Sequence, residues 1–112
     1  MQRAAINLFE RWNVRDDEAA ILLGGKAPRT YQRWKHGELG RAGPDLAARL
    51  SNLLGIHKAL RLLFMESSRG YGWIKRPNDV FAGRSALDIM LGGQLTDLMR
   101  VRRYLDAQRG AW

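Results

Sequence analysis

Five basic side chains stand close together in the 112-residue chain, in a stretch that carries a single acidic residue. The stretch runs from residue 26 to residue 41, and its basic members are Lys26, Arg29, Arg33, Lys35 and Arg41. Arginine can donate two hydrogen bonds to guanine, and arginine and lysine both pair with phosphates, so the pattern favours a nucleic-acid partner. A solvated helix face would explain the same charges. The sequence pattern around them is therefore needed to choose between a nucleic-acid-binding surface and a solvated face.

Residues that could catalyse a reaction are few and scattered. His36 and His57 lie 21 positions apart in different predicted helices, and Asp88 and Asp97 stand at predicted helix starts, where capping explains them. The chain has no cysteine and no spacing typical of metal ligands. We therefore predict that the protein is not an enzyme and uses no cofactor or metal.

The composition is that of a small folded domain with an excess of positive charge. The hydrophobic fraction of 46 % excludes a disordered chain, and the formal net charge is +8. No apolar run is long enough to span a membrane, and the first residues lack the apolar stretch of a secretory signal. We therefore expect a cytoplasmic protein with no membrane partner.

The apolar residues recur at helical spacing along nearly the whole chain, which predicts an all-α fold. In the first half, the pattern predicts a helix through Trp12, a second helix capped by Asp16, a third opened by Pro28 and a fourth opened by Pro44. We expect Gly55 to break or kink the fourth helix.

In the second half, residues 67–80 are rich in Ser, Gly, Pro and Asn, and we interpret them as a long irregular connection. Ser85 and Asp88 have the spacing of a capping box, which predicts a short helix before Gly92. A last helix carries four apolar residues at helical spacing, which are Leu95, Leu98, Val101 and Leu105.

Residues 16–37 have the form of a helix–turn–helix, with a short helix, a glycine turn and a basic helix. Ala20 supplies the small residue where the helices meet, and Tyr31 and Trp34 supply apolar anchors three residues apart. The predicted DNA-binding residues are Lys26, Arg29, Thr30, Gln32, Arg33, Lys35 and His36. The turn is one residue longer than in the commonest form of the motif, which could tilt the second helix. The alternative is a helical hairpin that does not contact DNA.

Both halves of the chain resemble one known family. In the first half the matching runs are Glu18-Ala19-Ala20, Leu22-Leu23-Gly24, Arg29-Thr30, Arg33-Trp34, Arg49-Leu50 and Leu53-Leu54-Gly55-Ile56. In the second half they are Trp73, Pro77-Asn78, Phe81, Gly83, Ser85, Leu87, Gly92 and Val101-Arg102-Arg103-Tyr104-Leu105. These runs resemble the helix–turn–helix and the C-terminal toxin-binding domain of the Xre/MbcA/ParS antitoxins. At Ala86 the family more often has proline.

The resemblance implies an antitoxin of a type II toxin–antitoxin pair. Its partner would be a RES-domain toxin, which degrades NAD or transfers ADP-ribose, and its active site would be occluded by the antitoxin. The family also implies a homodimer that forms a hetero-oligomer with the toxin and represses its own operon by binding operator DNA. We predict a DNA-binding domain at residues 1–66 and a toxin-binding domain at residues 67–112. The alternatives are a stand-alone helix–turn–helix regulator and an antitoxin without DNA contact.

The predicted toxin-binding residues are Trp73, Lys75, Arg76, Asn78, Arg102, Arg103 and Trp112. An exposed Trp73 would suit an interface, whereas the alternative places it over the last helix as a lid on the core. Asn78 could equally cap the turn after Pro77, and Arg102 and Arg103 could equally pair with Asp106.

Overall fold

The computed structural model describes residues 2–65 and 67–110, and within these ranges the chain is helical apart from short connections and one small ribbon. The α-helices are α1 (Gln2–Arg11), α2 (Asp16–Leu22), α3 (Pro28–Lys35), α4 (Pro44–Leu63), α5 (Ser67–Trp73), α6 (Ala86–Met90) and α7 (Leu95–Gly110). The predicted all-α class is therefore confirmed. None of the helices in the described ranges is both long and apolar enough to cross a membrane.

The first three helices follow the apolar pattern of the sequence. Leu8, Phe9 and Trp12 are almost fully buried, as predicted. The predicted cap of α2 at Asp16 is wrong by one position, because Arg15 is the capping residue and its backbone amide donates to Glu18 Oε1 at 3.0 Å. Since Glu18 satisfies the free amide, the Asp16 side chain is available for other contacts.

Helix α4 runs through Gly55 without a break, so the prediction of a break at this residue is wrong. The glycine is explained by a close approach of α7. A Cβ atom at position 55 would lie 2.6 Å from Cζ of Arg102, so any larger residue would displace that guanidinium. Helix α4 packs against both α1 and α7, and buried residues from both halves of the chain form one continuous core.

The irregular connection predicted for residues 67–80 is wrong over its first part, where α5 forms. Gly70 is buried, and a Cβ atom there would lie 3.5 Å from Leu60 of α4 and from Phe64, the residue that follows this helix. Glycine and serine disfavour helices by intrinsic propensity, so α5 owes its helix to packing against α4, which the local sequence does not reveal.

A small antiparallel ribbon follows α5. Strand β1 (Pro77–Asn78) pairs with β2 (Arg84–Ser85) around a 3₁₀ turn at Asp79–Phe81. The predicted capping box of α6 is confirmed, because Asp88 N donates to Ser85 Oγ at 3.0 Å and Ser85 N donates to Asp88 Oδ2 at 3.3 Å. The ribbon and α6 hold the chain against α7.

Candidate nucleic-acid and partner interfaces

Helices α2 and α3 form the predicted helix–turn–helix. Tyr31 and Trp34 are 2 % and 4 % exposed, which confirms them as the anchors of α3 in the core, and Tyr31 packs edge-on against Phe9. The turn passes through Gly24 and Gly25, both with positive φ, a conformation that glycine adopts without steric cost. Ala20 is buried where the helices meet, as predicted.

Arg49 of α4 positions this turn, and the sequence analysis did not identify it as a functional residue. Its side chain is 8 % exposed, Nε pairs with Asp45 at 2.9 Å, and Nη1 donates to the carbonyl of Leu22 at 3.5 Å. A cation is favoured at the C-terminal end of α2, where free carbonyls carry partial negative charge. The available signal was a basic residue on the apolar face of α4, between Leu46 and Leu50.

The outward face of α3 is exposed over most of its length. The exposed members of the predicted DNA-binding set are Lys26, Arg29, Gln32, Arg33, Lys35 and His36, and Thr30 is half-buried. Neither Arg29 nor Arg33 forms an ion pair with any residue that the structure describes. Two guanidinium groups on one exposed helix face can reach base edges or phosphates.

Asp16 divides the candidate DNA-binding residues into two groups. Its carboxylate accepts a hydrogen bond from Lys35 Nζ at 2.7 Å and another from Gln32 Nε2 at 3.3 Å. The hydrogen bond from Lys35 lowers the pKa of Asp16 below its usual value. Gln32 and Lys35 are therefore bound to α2, whereas Arg29 and Arg33 project from α3 and pair with no carboxylate in the described part of the chain.

Trp73 lies between the core and the surface of the second half. Its ring stacks on Tyr104 of α7, with centroids 6.1 Å apart and planes 4° from parallel, and meets Phe81 edge-on at 6.3 Å. Phe81 is buried, while Trp73 is half-buried. Of the two interpretations of Trp73, the structure supports the lid over the last helix, and one part of the ring remains accessible.

Three predicted toxin-binding residues, Trp73, Arg76 and Asn78, line one open cleft of about 340 Å³. Two of them also make internal bonds. Arg76 Nη2 donates to the carbonyl of Arg69 at 3.1 Å, and Asn78 Oδ1 accepts from Val80 N at 3.1 Å, which confirms its capping role. Lys75 instead faces the first half of the chain, where Nζ donates to the carbonyl of Asn13 at 2.7 Å.

The arginines of α7 lie apart from this cleft. Arg102 pairs with Asp106 at 3.7 Å, as predicted, and its Nη1 donates to the carbonyl of Ser51 at 3.5 Å. Arg103 is exposed and forms no ion pair within the described ranges, so the same pairing is not seen for it. Trp112 lies outside the described residues. The structure therefore brings together only part of the predicted toxin-binding set.

Tyr31 and His57 also have shifted pKa values. Burial raises the pKa of Tyr31 to about 12, and the charges of Asp16 and Glu10 add to the shift. Burial lowers the pKa of His57, and the nearby Arg61 and Arg11 lower it further. No cluster of three metal-ligating side chains occurs in the ranges that the structure describes.

Comparison with known proteins assigns both halves of the chain. Residues 1–55 match the antitoxin Xre-like helix–turn–helix domain, and residues 59–110 match the antitoxin Xre/MbcA/ParS C-terminal toxin-binding domain. A relative in Sinorhizobium fredii (strain NBRC 101917 / NGR234), the uncharacterized protein y4oB, is 47 % identical over 107 residues, which cover 96 % of this chain and 82 % of the relative. The chain belongs to the Xre/MbcA/ParS antitoxin family. It therefore combines an antitoxin helix–turn–helix with a domain that binds a toxin.

Proposed function

We propose that this antitoxin neutralises a RES-domain toxin by occluding its active site and represses its own operon by binding operator DNA. The observation that carries the proposal is the match of one chain to two antitoxin domains, over residues 1–55 and 59–110. We also propose that it acts in the cytoplasm as a homodimer that assembles with the toxin, and that residues 1–66 bind DNA and residues 67–112 bind the toxin.

The exposed face of α3 supports the DNA-binding part of the proposal. Arg29 and Arg33 project from a helix whose opposite face is anchored by Tyr31 and Trp34, so the backbone that carries them is held firmly. In proteins of this type the second helix enters the major groove, where arginine donates to guanine. Lys26 is exposed beside the turn and would contact the phosphate backbone.

Operator binding can be tested with the full-length protein and a duplex from its own promoter. Arg33→Ala should weaken binding by about 1–3 kcal/mol, which is roughly 5–150-fold, if Arg33 contacts a base. Arg3→Ala is a matched control, because Arg3 is an exposed arginine of α1 outside the α2–α3 motif. Fluorescence anisotropy at several salt concentrations gives both the affinity and the salt slope. If Arg33→Ala and Arg3→Ala bound the duplex with equal affinity, the result would contradict a contact between Arg33 and a base.

The cleft beside the ribbon supports the toxin-binding part. Trp73 offers a partly accessible aromatic ring and Arg76 a charged donor, two residue types that often dominate interface energetics. Buried Phe81 and Ser85 hold the ribbon that forms one wall of this region. The resemblance of the Trp73, Pro77-Asn78 and Phe81 pattern to the family motif is the reason for proposing a RES-domain toxin.

Toxin neutralisation can be tested by co-expressing the full-length chain with a RES-domain toxin encoded beside it. We expect the two proteins to co-purify, and we expect the complex to consume NAD far more slowly than the free toxin does. Arg76→Ala should weaken the complex by about tenfold or more, whereas the exposed Arg3→Ala control should not. Unchanged NAD consumption in the presence of excess antitoxin would contradict the occlusion mechanism.

A stand-alone transcriptional regulator is the second candidate function. It is favoured by the hydrogen bond from Lys75 to Asn13 and by the stacking of Trp73 on Tyr104, because both use predicted toxin-binding residues inside the chain. This alternative predicts normal operator binding and no complex with the toxin. The two experiments above therefore separate the two functions.

A further inference from the structure

A polar cleft lies between α1, α4 and α5, on a part of the molecule that neither proposed interface uses. Its volume is about 340 Å³, and its polar lining consists of Asn7, Arg11, His57, Arg61 and Tyr71. Asn7 and Arg11 belong to the region that matches the helix–turn–helix domain, while Arg61 and Tyr71 belong to the region that matches the toxin-binding domain. The cleft therefore spans the junction of the two family regions.

The cleft carries two arginine side chains, Arg11 and Arg61, that form no ion pair with the described residues. The Arg11 guanidinium donates a hydrogen bond from Nη1 to the hydroxyl of Tyr71, at 3.3 Å. Two guanidinium groups that face one concave site are the arrangement by which proteins bind phosphate oxygens.

His57 provides a second, independent observation at this cleft. Its Nδ1 atom is buried and has no hydrogen-bond partner among the described residues, although buried polar atoms are almost always satisfied. Its ring stacks on Tyr71, with centroids 6.0 Å apart and planes 10° from parallel, so the two rings form one flat wall. Burial lowers the pKa of this imidazole, and the charges of Arg61 and Arg11 lower it further.

We propose that this cleft binds a small phosphate-bearing ligand, with Arg11 and Arg61 holding the phosphate oxygens and the Tyr71–His57 wall covering one side of the molecule. The volume lies at the lower end of the range for small-molecule sites, which suits a phosphate group with a small organic part. A ligand in this position would contact α1 and α5 at once, and would thereby connect the two functional halves. The proposal does not depend on DNA binding or on toxin binding.

The test uses the full-length protein and two probes, inorganic phosphate and adenosine monophosphate, at constant ionic strength. We expect saturable shifts of the His57 ring signals in the NMR spectrum, and we expect the bound phosphate to raise the measured pKa of His57. Equal affinity for both probes would assign the binding to the phosphate group alone. Tighter binding of the monophosphate would show that the organic part also contacts the cleft.

Two variants and one control make the result specific to the cleft. Arg11→Gln and Arg61→Gln should each weaken binding by about tenfold or more, because each removes a charged donor to the phosphate. Arg3→Gln removes an exposed charge from α1 outside the cleft, and its affinity should match that of the unmodified protein. Equal weakening by all three variants would overturn the proposal, since it would indicate general charge attraction.

Absence of saturable binding by either probe up to about 10 mM would also overturn the proposal. Shifts of His57 with duplex DNA but with neither small probe would overturn it as well, in favour of a DNA-backbone contact. Because neither probe is a toxin or an operator, these outcomes are independent of whether the proposed antitoxin function holds.

Discussion

The exposed face of α3 and the surface around the ribbon hold their candidate residues in different ways. On α3, Arg29 and Arg33 come from a single helix and project together because its other face is anchored in the core. The predicted toxin-binding residues that the structure describes come from α5, the turn after it, β1 and α7, and several of them are bonded within the chain. A surface made by one helix can be predicted from its periodicity, whereas a surface made by several elements depends on their packing.

Trp34 and Trp73 show the same difference between the helix surface and the ribbon surface at the level of single residues. Trp34 is 4 % exposed and anchors α3, while Trp73 is half-buried and lies flat on Tyr104. Trp34 therefore acts on DNA binding only through the fold, and Trp73 can contribute both to the fold and to a partner contact. Substitutions at these positions and their neighbours can strengthen or contradict this contrast.

The largest expected effect is that of Trp34→Ala. Truncation of a buried aromatic side chain leaves a cavity, and we expect the free energy of unfolding to fall by about 3–5 kcal/mol. Urea denaturation followed by circular dichroism would measure it. Arg33→Ala, on the exposed face of the same helix, is the control and should leave the free energy of unfolding nearly unchanged. Similar losses for both variants would show that the two faces of α3 are not distinct.

Because the pKa of Tyr31, the second anchor of α3, is raised, we expect the protein to lose stability at high pH. The pKa of Tyr31 is raised to about 12 in the folded protein, against about 10 in an unfolded chain. The unfolded state therefore loses its proton first, and the free energy of unfolding should fall as the pH rises from 10 to 12, by at most about 1.4 kcal/mol per pH unit. Tyr31→Phe keeps the packed ring without the ionisable hydroxyl and should remove this slope. An identical slope in Tyr31→Phe would show that other groups cause it.

A smaller loss of stability is expected for Trp73→Ala, together with a loss of toxin binding. Because the ring is only half-buried, the free energy of unfolding should fall by about 1–2 kcal/mol. Affinity for the toxin should fall by about tenfold or more if the accessible part of the ring contacts it. Trp73→Phe keeps an aromatic ring over Tyr104 and should restore most of the stability. If Trp73→Ala lost stability but kept its affinity for the toxin in isothermal titration calorimetry, Trp73 would cover the core without contacting the toxin.

The smallest expected effect concerns Asp16. Asp16→Asn should release Lys35 and weaken the hold on Gln32, so that both can contact DNA, and operator affinity should rise by about two- to fivefold. Asp17→Asn is a matched control, because Asp17 lies in the same turn but pairs with Arg15, and among the described residues its side chain forms no hydrogen bond or ion pair with α3. Fluorescence anisotropy should show a larger gain for Asp16→Asn. Equal gains would mean that only the net charge of α2 matters.

Much of the fold could be predicted, because its signals are local. The apolar spacing that ends in Trp12, the capping box of Ser85 and Asp88 and the anchors Tyr31 and Trp34 all depend on residues within about one helical turn. The errors occur where distant packing decides. Gly55 was expected to interrupt α4 but instead admits Arg102, and α5 forms where it packs against α4.

The candidate sites divide in the same way. The sequence by itself determined that α3 presents basic side chains opposite an apolar face, because a helix of known phase separates its residues in this manner. Only the tertiary structure showed that Asp16 binds Lys35, that Arg49 reaches the end of α2 and that Arg11 and Arg61 line one cleft. The physical reason is that each of these contacts joins separate helices, and the distance between two helices depends on the packed core between them.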